Sequence, residues 1–361
     1  MDLADCFSAT YAEARAKFLA AAAAAGAEQK SYPHPLTGPE GGELALDLAW
    51  FGPREASRVL VLSSATHGIE GFCGSGCQVG LLGNGLQDGL PPDTALLYVH
   101  AHNPHGFAHQ RRVTEENVDL NRNFADFSQP LPQNPGYDEI HAWLVPADWD
   151  GPARAAADAA ITGYIEERGM FAFQAAVSGG QYGHADGLFF GGHEKTWSRR
   201  TIETLAGEWL GQCRHLAVVD FHTGLGPRGH GELIWSDLPR GAGYDRARAW
   251  LGDEVKSPEG GDSVSAIVKG TIKTGYAQAV PDAEATIIAI EYGTVPPLDV
   301  LQALRADNWL HLHGELDSDL GRSIKRDIRA AFYGEDEEWN AMVWDRAQEV
   351  VGKVLQGLTG D

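Results

Sequence analysis

Cysteine is scarce in this chain. Four thiols, Cys6, Cys73, Cys77 and Cys213, are spread over 361 residues. That is too few for a disulfide scaffold, and reduced thiols in a cytoplasmic protein are the simplest reading. Positive charge is also short: 28 Lys and Arg stand against 50 Asp and Glu, a formal net charge of -22. Such a surface repels nucleic acid and anionic membranes, and no basic cluster offsets it. No apolar run is long enough to span a bilayer. The alanine-rich run 19–25 follows Asp2, Asp5 and Glu13 rather than basic residues, so it reads as a helix packed on the domain and not as a secretion signal. These absences speak against nucleic acid and membrane partners.

What is present is an alternation of strands and helices. Residues 11–25 read as a helix ended by Gly26. Residues 44–50 alternate large apolar with small or polar side chains, as in a strand at a sheet edge. The short apolar runs 59–63, 95–101, 216–221 and 286–290 fit buried central strands. Residues 74–82, 151–168 and 197–210 read as helices, and the tail carries three more at 298–312, 323–332 and 338–358. This order predicts an α/β fold: a three-layer sandwich around a mixed, mostly parallel central sheet, in one domain over 1–361. Two stretches read as irregular, 129–151 and the glycine- and aromatic-rich 178–192. Cys73 and Cys77 are four apart, so one helix presents both on one face, as small packing residues in preference to metal ligands.

Three of the apolar runs end next to chemistry. His67-Gly-Ile-Glu70 follows the run 59–63, His222 follows 216–221, and Glu291 follows 286–290. A hydrolytic zinc site takes three protein ligands and leaves a position for water. In open α/β sheets, ligands bind beyond the carboxyl ends of strands. Two histidines and a glutamate with a spare glutamate at such ends suit a metal site. Asp220, two before His222, could support that histidine, cap a helix or face solvent.

Between these points stand Asn103-Pro-His-Gly106 and Val118-Asp-Leu-Asn-Arg-Asn-Phe124. With HxxE before them and the strand-end His and Glu after them, the chain resembles the zinc carboxypeptidase-like metallopeptidases. Its GGQY…DGLFFGG loop and the tail segment 307–314 resemble one uncharacterised bacterial branch of that group. The resemblance implies a zinc carboxypeptidase-like fold, with an insert at about 125–215 and a helical C-terminal extension at about 298–361. It implies one Zn2+ bound by His67, Glu70 and His222. Glu291 would be the general base that activates water and then protonates the leaving amine. Arg112 would polarise the scissile carbonyl, with Arg111 its immediate competitor. Asn121 and Arg122 would hold the substrate's terminal carboxylate. Asp119 would accept a hydrogen bond from the free ring nitrogen of His67. Tyr276 is the nearest counterpart of the substrate-covering tyrosine of the digestive enzymes. His105 replaces the acid of the usual NPDG and reads as loop structure.

The function this implies is zinc-dependent hydrolysis of an amide bond next to a free carboxylate, in a carboxypeptidase acting on short peptides or peptide-like metabolites. One alternative is an N-acyl amino acid amidohydrolase similar to aspartoacylase and succinylglutamate desuccinylase, whose DxHT run is similar to Asp220-Phe-His-Thr223. Another is a non-catalytic binding protein on the same fold. The insert is expected to roof the cleft and restrict it to small substrates. The cleft walls are expected from the insert and from 255–281, neither of which offers a readable pocket charge.

Overall fold

The computed structural model describes residues 2–360. Helices α1 (Leu3–Cys6) and α2 (Tyr11–Ala24) precede strands β1 (Glu28–Thr37), β2 (Glu43–Phe51) and β3 (Arg58–Ser63). A 3-10 turn over Gly68–Glu70 leads into α3 (Gly71–Gly83), β4 (Thr94–His100) and α4 (Pro104–Ala108). The insert contributes α5 (Pro135–Leu144), α6 (Pro152–Arg168), α7 (Met170–Ser178) and α8 (Trp197–Trp209). Then come β5 (His215–Arg228), β6 (Gly231–Ile234), α9 (Ala242–Leu251), β7 (Val255–Lys256), α10 (Ile272–Ala279) and β8 (Glu284–Gly293). Three helices close the chain, α11 (Pro297–His313), α12 (Asp319–Phe332) and α13 (Glu337–Thr359).

The strands form one mixed sheet in the order β1-β2-β4-β3-β5-β8-β6-β7. Its centre, β4-β3-β5-β8, is parallel. The flanking pairs β1-β2, β2-β4 and β6-β8 are antiparallel. Burial on both faces explains the near-continuous apolar sequence of the central strands. Leu60, Leu62, Val219 and Ile288 face the core under α2, α3 and α13. Val59, Val61, Val218 and Ile287 face a second core under α8 and α10. This is an α/β sandwich with helices on both faces of the sheet.

Three expectations change. The edge strand is β1, not 44–50; β2 lies one strand in, with all of Leu44 to Phe51 buried. The stretch 129–151 is not wholly irregular, because α5 forms within it, capped by the Asn134 side chain and started by Pro135. Strands β5 and β8 run past His222 and Glu291, which pair with each other in the parallel register rather than following the strand ends. Of the C-terminal helices, α13 places Val343, Val350 and Val354 in the main core, and α11 reaches the cleft described below. No helix among the described residues is long and apolar enough to cross a membrane.

Candidate active site

The His67–Glu70 turn is built by close approach. A Cβ on Gly68 would stand 2.1 Å from the Gly106 carbonyl carbon, so only glycine lets this turn lie on the Asn103–Gly106 segment. The Asn103 side chain accepts from the Gly106 N–H and caps α4. The amides of Gly68 and Ile69 donate to the carbonyls of Arg112 and Arg111. That pairing fixes the two arginines against the turn and sends their side chains apart. Arg111 reaches Asp307 Oδ2 at 3.3 Å and Asn117 Oδ1 at 3.2 Å. Arg112 reaches Asp119 Oδ2 at 3.1 Å and Glu70 Oε1 at 3.3 Å, and its Nη2 lies 2.8 Å from His67 Nε2. Arg112 therefore stands in the cleft, and Arg111 beside α11.

His67, Glu70 and His222 converge: their ligand-type atoms lie within 4.8 Å of one another. His67 Nδ1 is 2.8 Å from Glu70 Oε1, His222 Nδ1 is 3.0 Å from Glu70 Oε2, and the two Nδ1 atoms are 3.3 Å apart. The far side of each ring meets a buried carboxylate. His222 Nε2 lies 2.5 Å from Asp220 Oδ2, and His67 Nε2 lies 3.2 Å from Asp119 Oδ1. His222 Nε2–H donates to Asp220, whereas His67 Nε2 sits between Asp119 and the Arg112 guanidinium; on the inner side the two Nδ1 atoms and the Glu70 carboxylate face one another. This donor set fits a zinc ion held by His67 Nδ1, Glu70 and His222 Nδ1, with carboxylate-oriented rings. Asp220 is fully buried, also accepts from Ser63 and Thr66, and caps no helix.

The charges of this centre are mutually held. Burial opposes the His222 cation, yet Asp220 and Glu70 raise the imidazole to about 10. Burial likewise opposes the Asp119 carboxylate, but Arg112 and Arg122 hold it well below the usual range. Glu291 is different: burial and the neighbouring Glu70 charge push it up to about 8. Its Oε1 accepts from the Leu225 N–H at 3.0 Å, which aims the carboxyl along the cleft wall. A cation held by Glu70 would remove that repulsion.

The same cleft, with about 100 Å³ of free volume, is lined by Arg112, Asn121, Arg122, Glu291, Ser236 and Lys273 besides His67, Glu70 and His222. Asn121 Oδ1 accepts from the Ile272 N–H, which leaves its amide NH2 without a partner among the described residues. Arg122 is buried; its two terminal nitrogens donate to the carbonyls of Asn121 and Ser178, and its Nε has no partner among the described residues. The segment 178–192 forms the roof. Tyr182 Oη donates to the Arg122 carbonyl, and the Phe189 ring lies 5.1 Å from the Arg112 guanidinium and 5.8 Å from that of Arg122. Phe189 is held at φ +53, a conformation that L side chains seldom adopt. Gly180 has φ +88 and presses on Arg122, since a Cβ there would lie 2.7 Å from Arg122 Cδ. From the tail, Val300 and Leu304 of α11 and Phe332 of α12 close the remaining side. An apolar groove of about 260 Å³, walled by Phe173, Val177, Val264 and Leu301, opens beside the cleft and shares Phe189, Leu225 and Val300 with it.

Tyr276 is a correction. It is fully buried beneath the sheet, among Leu120, Phe124 and Ile202, and its hydroxyl meets His102 Nε2 at 2.9 Å. Helix α10 turns it into the second core, so it does not line the cleft. His105 lies in α4 and stacks on His109 at 4.2 Å, also outside the cleft. Cys73 and Cys77 are buried packing residues of α3. Lys273 and Phe189 went unrecognised in the sequence. Lys273 stands three before Tyr276, so a helix with Tyr276 inward carries the Lys273 stem inward too. That spacing was the available signal. A second histidine group, His141, His184 and Asp186, lies in the insert; its rings stack at 3.9 Å and pair with Asp186 and Asp138, tying the roof to α5.

No functionally curated protein matches this chain. Among solved structures, carboxypeptidase A from Helicoverpa armigera is similar at 12% identity and a TM-score of 0.46, over 90% of this chain and 74% of that one. Thrombin activatable fibrinolysis inhibitor is similar at 10% identity and a TM-score of 0.48, over 96% and 74%. The succinylglutamate desuccinylase from Chromobacterium violaceum is similar at 16% identity and a TM-score of 0.38, over 88% and 74%. Residues 7–346 match the family model described as Protein of unknown function (DUF2817), and with that span matched the chain belongs to this family.

Proposed function

We propose that this chain is a zinc-dependent hydrolase that cleaves an amide bond next to a free carboxylate, as a carboxypeptidase on short peptides or peptide-like metabolites. The observation that carries this reading is a single cleft shared by three converging metal-type ligands, a buried glutamate and two guanidinium groups. Zinc held by His67, Glu70 and His222 supplies Lewis acidity, which polarises a carbonyl and brings the pKa of water towards about 7. Glu291 takes the proton of the attacking water and delivers it to the nitrogen of the leaving amine. Burial raises its proton affinity, and a cation at Glu70 lifts the repulsion that would otherwise keep it protonated, so the carboxylate can take the proton and pass it on. Arg112 faces the charge that grows on the carbonyl oxygen. Arg122, with the free amide of Asn121, grips the terminal carboxylate. Asp119 and Asp220 hold the two imidazoles in the ligating tautomer. The roof 178–192 keeps bulk water out and limits the cleft to small substrates.

The apolar groove beside the cleft favours a second reading, an N-acyl amino acid amidohydrolase whose acyl chain lies against Phe173 and Leu301. One experiment separates the readings and tests both. Purified protein is analysed for metal and offered C-terminally free dipeptides and N-acyl amino acids. Zinc near one equivalent with hydrolysis of either class supports the hydrolase, and the faster class names it. Protein that takes up no zinc and leaves every amide intact overturns it.

A further inference from the structure

Asp138 and His141 of α5 face His184 and Asp186 of the roof. Asp138 and His141 are three apart, so the helix presents both on one face. Each histidine meets the acid of the other segment: His184 Nε2 lies 2.9 Å from Asp138 Oδ1, and His141 Nε2 lies 3.4 Å from Asp186 Oδ1. The two rings stack with centroids 3.9 Å apart and planes inclined by 23°. One ligand-type atom from each of His141, His184 and Asp186 lies within 4.8 Å of the other two, the same spread as at His67, Glu70 and His222. None of these residues lines the cleft. The roof turn is built to present them, because its backbone is clamped by amide side chains from elsewhere. Gln181 Oε1 accepts from the Gly183 and His184 amides, and its Nε2 donates to the His184 carbonyl. Asn117 donates to the carbonyls of Ala185 and Gly187, and Asn308 of α11 donates to that of Asp186. A Cβ on Gly187 would stand 2.5 Å from Tyr137 Oη and 3.2 Å from His141 Nδ1, so only glycine lets the turn close on α5. The side chains of His184 and Asp186 take no part in that clamping and are left for a ligand.

What the group makes with itself is incomplete. At 3.4 Å the His141–Asp186 contact is long for an N–H···O bond. His141 Nδ1 is buried without a partner among the described residues. Burial first, and then the neighbouring His184, hold the His141 imidazole below its ordinary value, against the pull of Asp186 and Asp138. The neutral ring is the form that binds a metal. Ligand atoms about 2.0–2.1 Å from a tetrahedral zinc stand about 3.4 Å from one another. The spacing of His141 Nε2 and Asp186 Oδ1 already has that length. Asp138, on Nε2 of His184, is the kind of carboxylate that orients a ligating ring. Two imidazoles and a carboxylate suit zinc, nickel or copper, whereas calcium and magnesium call for oxygen ligands.

We propose that His141, His184 and Asp186, with Asp138 behind His184, bind a divalent transition-metal cation of the zinc class, and that this ion fastens the roof to α5. The site is separate from the cleft and does not rest on the hydrolase reading. The Asp186 side chain is 54% exposed, so solvent supplies the remaining coordination and the ion exchanges freely. It is therefore held less tightly than an ion at His67, Glu70 and His222, with a Kd of about 1–10 μM. Phe189 stands three residues after Asp186 and lies against the guanidinium groups of Arg112 and Arg122. A loaded turn steadies that ring over the cleft.

The test uses the full chain, dialysed against metal-free buffer so that only tightly held zinc stays. Zinc is then added in a calorimeter, with nickel and magnesium as comparison ions. Wild type is expected to take up a further equivalent of zinc at about 1–10 μM, to take up nickel likewise and to ignore magnesium. His184→Gln and Asp186→Asn are expected to weaken that further equivalent by at least about 10–100-fold and to keep the tight one. His222→Gln is expected to do the reverse. Zinc at about 100 times its Kd should raise the wild-type Tm by roughly 3–5 °C. It should also slow amide hydrogen exchange over 181–189, and do neither in Asp186→Asn. Asparagine has the shape of aspartate and the position is exposed, so that variant keeps its fold. Histidines that serve only packing predict a lower Tm in His184→Gln, equal with and without zinc, and no further equivalent in wild type. That result overturns the proposal, as does uptake only near about 1 mM zinc, or a further equivalent that survives in both variants. Uptake that leaves exchange over 181–189 unchanged overturns the fastening. A chain that fills this site yet holds no zinc through His67 and His222 keeps the proposal and overturns the hydrolase.

Discussion

Around His67 and His222 the carboxylates of Glu70, Asp119 and Asp220 each meet an imidazole or a guanidinium, whereas at the other end of the cleft the Lys273 ammonium meets a hydroxyl and a carbonyl. Around His67 and His222, Asp119, Asp220, Glu70 and Arg112 interlock at 2.5 to 3.3 Å. Around Lys273 the carboxylates face away. A satisfied network has one geometry and suits groups that must be in place before substrate arrives. An unsatisfied charge suits a group whose partner comes with the substrate. The difference separates a network that is closed on itself from a charge left open to the cleft.

The largest effect tests the first region. Glu291→Gln is expected to keep its zinc, measured by metal analysis, and to lose turnover by roughly 10²–10⁴-fold. Retained activity would take the proton transfer away from Glu291. Asp220→Asn disturbs the tautomer of His222 and is expected to weaken zinc affinity by about 10–100-fold in a chelator competition. An unchanged affinity would mean that the carboxylate does not orient the ligand.

The next effects test the second region. Lys273 stands at about 8 in the fold against 10.5 for the free side chain. Its folded-state pKa is depressed, so below about 8 both states are protonated and the penalty is complete. Between 8 and 10.5 the unfolded chain binds more protons, and stability recovers as pH rises. Lys273→Met is thus expected to be more stable than wild type at pH 7, by on the order of 1–3 kcal/mol in denaturant titration, less the cost of the lost Ser236 bond. That gain should shrink by pH 10.5; a gain that does not depend on pH would place its cause elsewhere. Gly180→Ala is the mildest. Its φ of +88 and its 2.7 Å contact would push Arg122 aside. A loss of about 1 kcal/mol of stability is expected, with a raised KM for free carboxylates but not for C-terminal amides.

The central strands and the long helices were legible because their burial leaves a plain apolar pattern. Strand β1 was not, since its residues are almost all exposed and Pro33 and Pro35 argue against a strand. Helix α5 hid behind the proline and asparagine that start it. The metal-type residues were legible as a set from their motif order, yet their strand-end placement was wrong in detail because β5 and β8 continue beyond them. The choice between Arg111 and Arg112 could not be made from adjacency, as it depends on Asp307, far along the chain. Lys273 was passed over because lysines are mostly exposed and α10 is only eight residues long. Tyr276 was overvalued for the matching reason: its proximity to Glu291 in sequence says nothing of which side of the sheet it occupies.

The hydrogen bond from the Ile272 amide to the Asn121 side chain ties the turn that carries Arg122 to the start of α10 across 2.9 Å. It also decides which end of an amide the cleft meets. The oxygen of Asn121 is spent on the backbone, so the NH2 is the end left over, and a side chain that looks neutral in the sequence behaves there as a donor only.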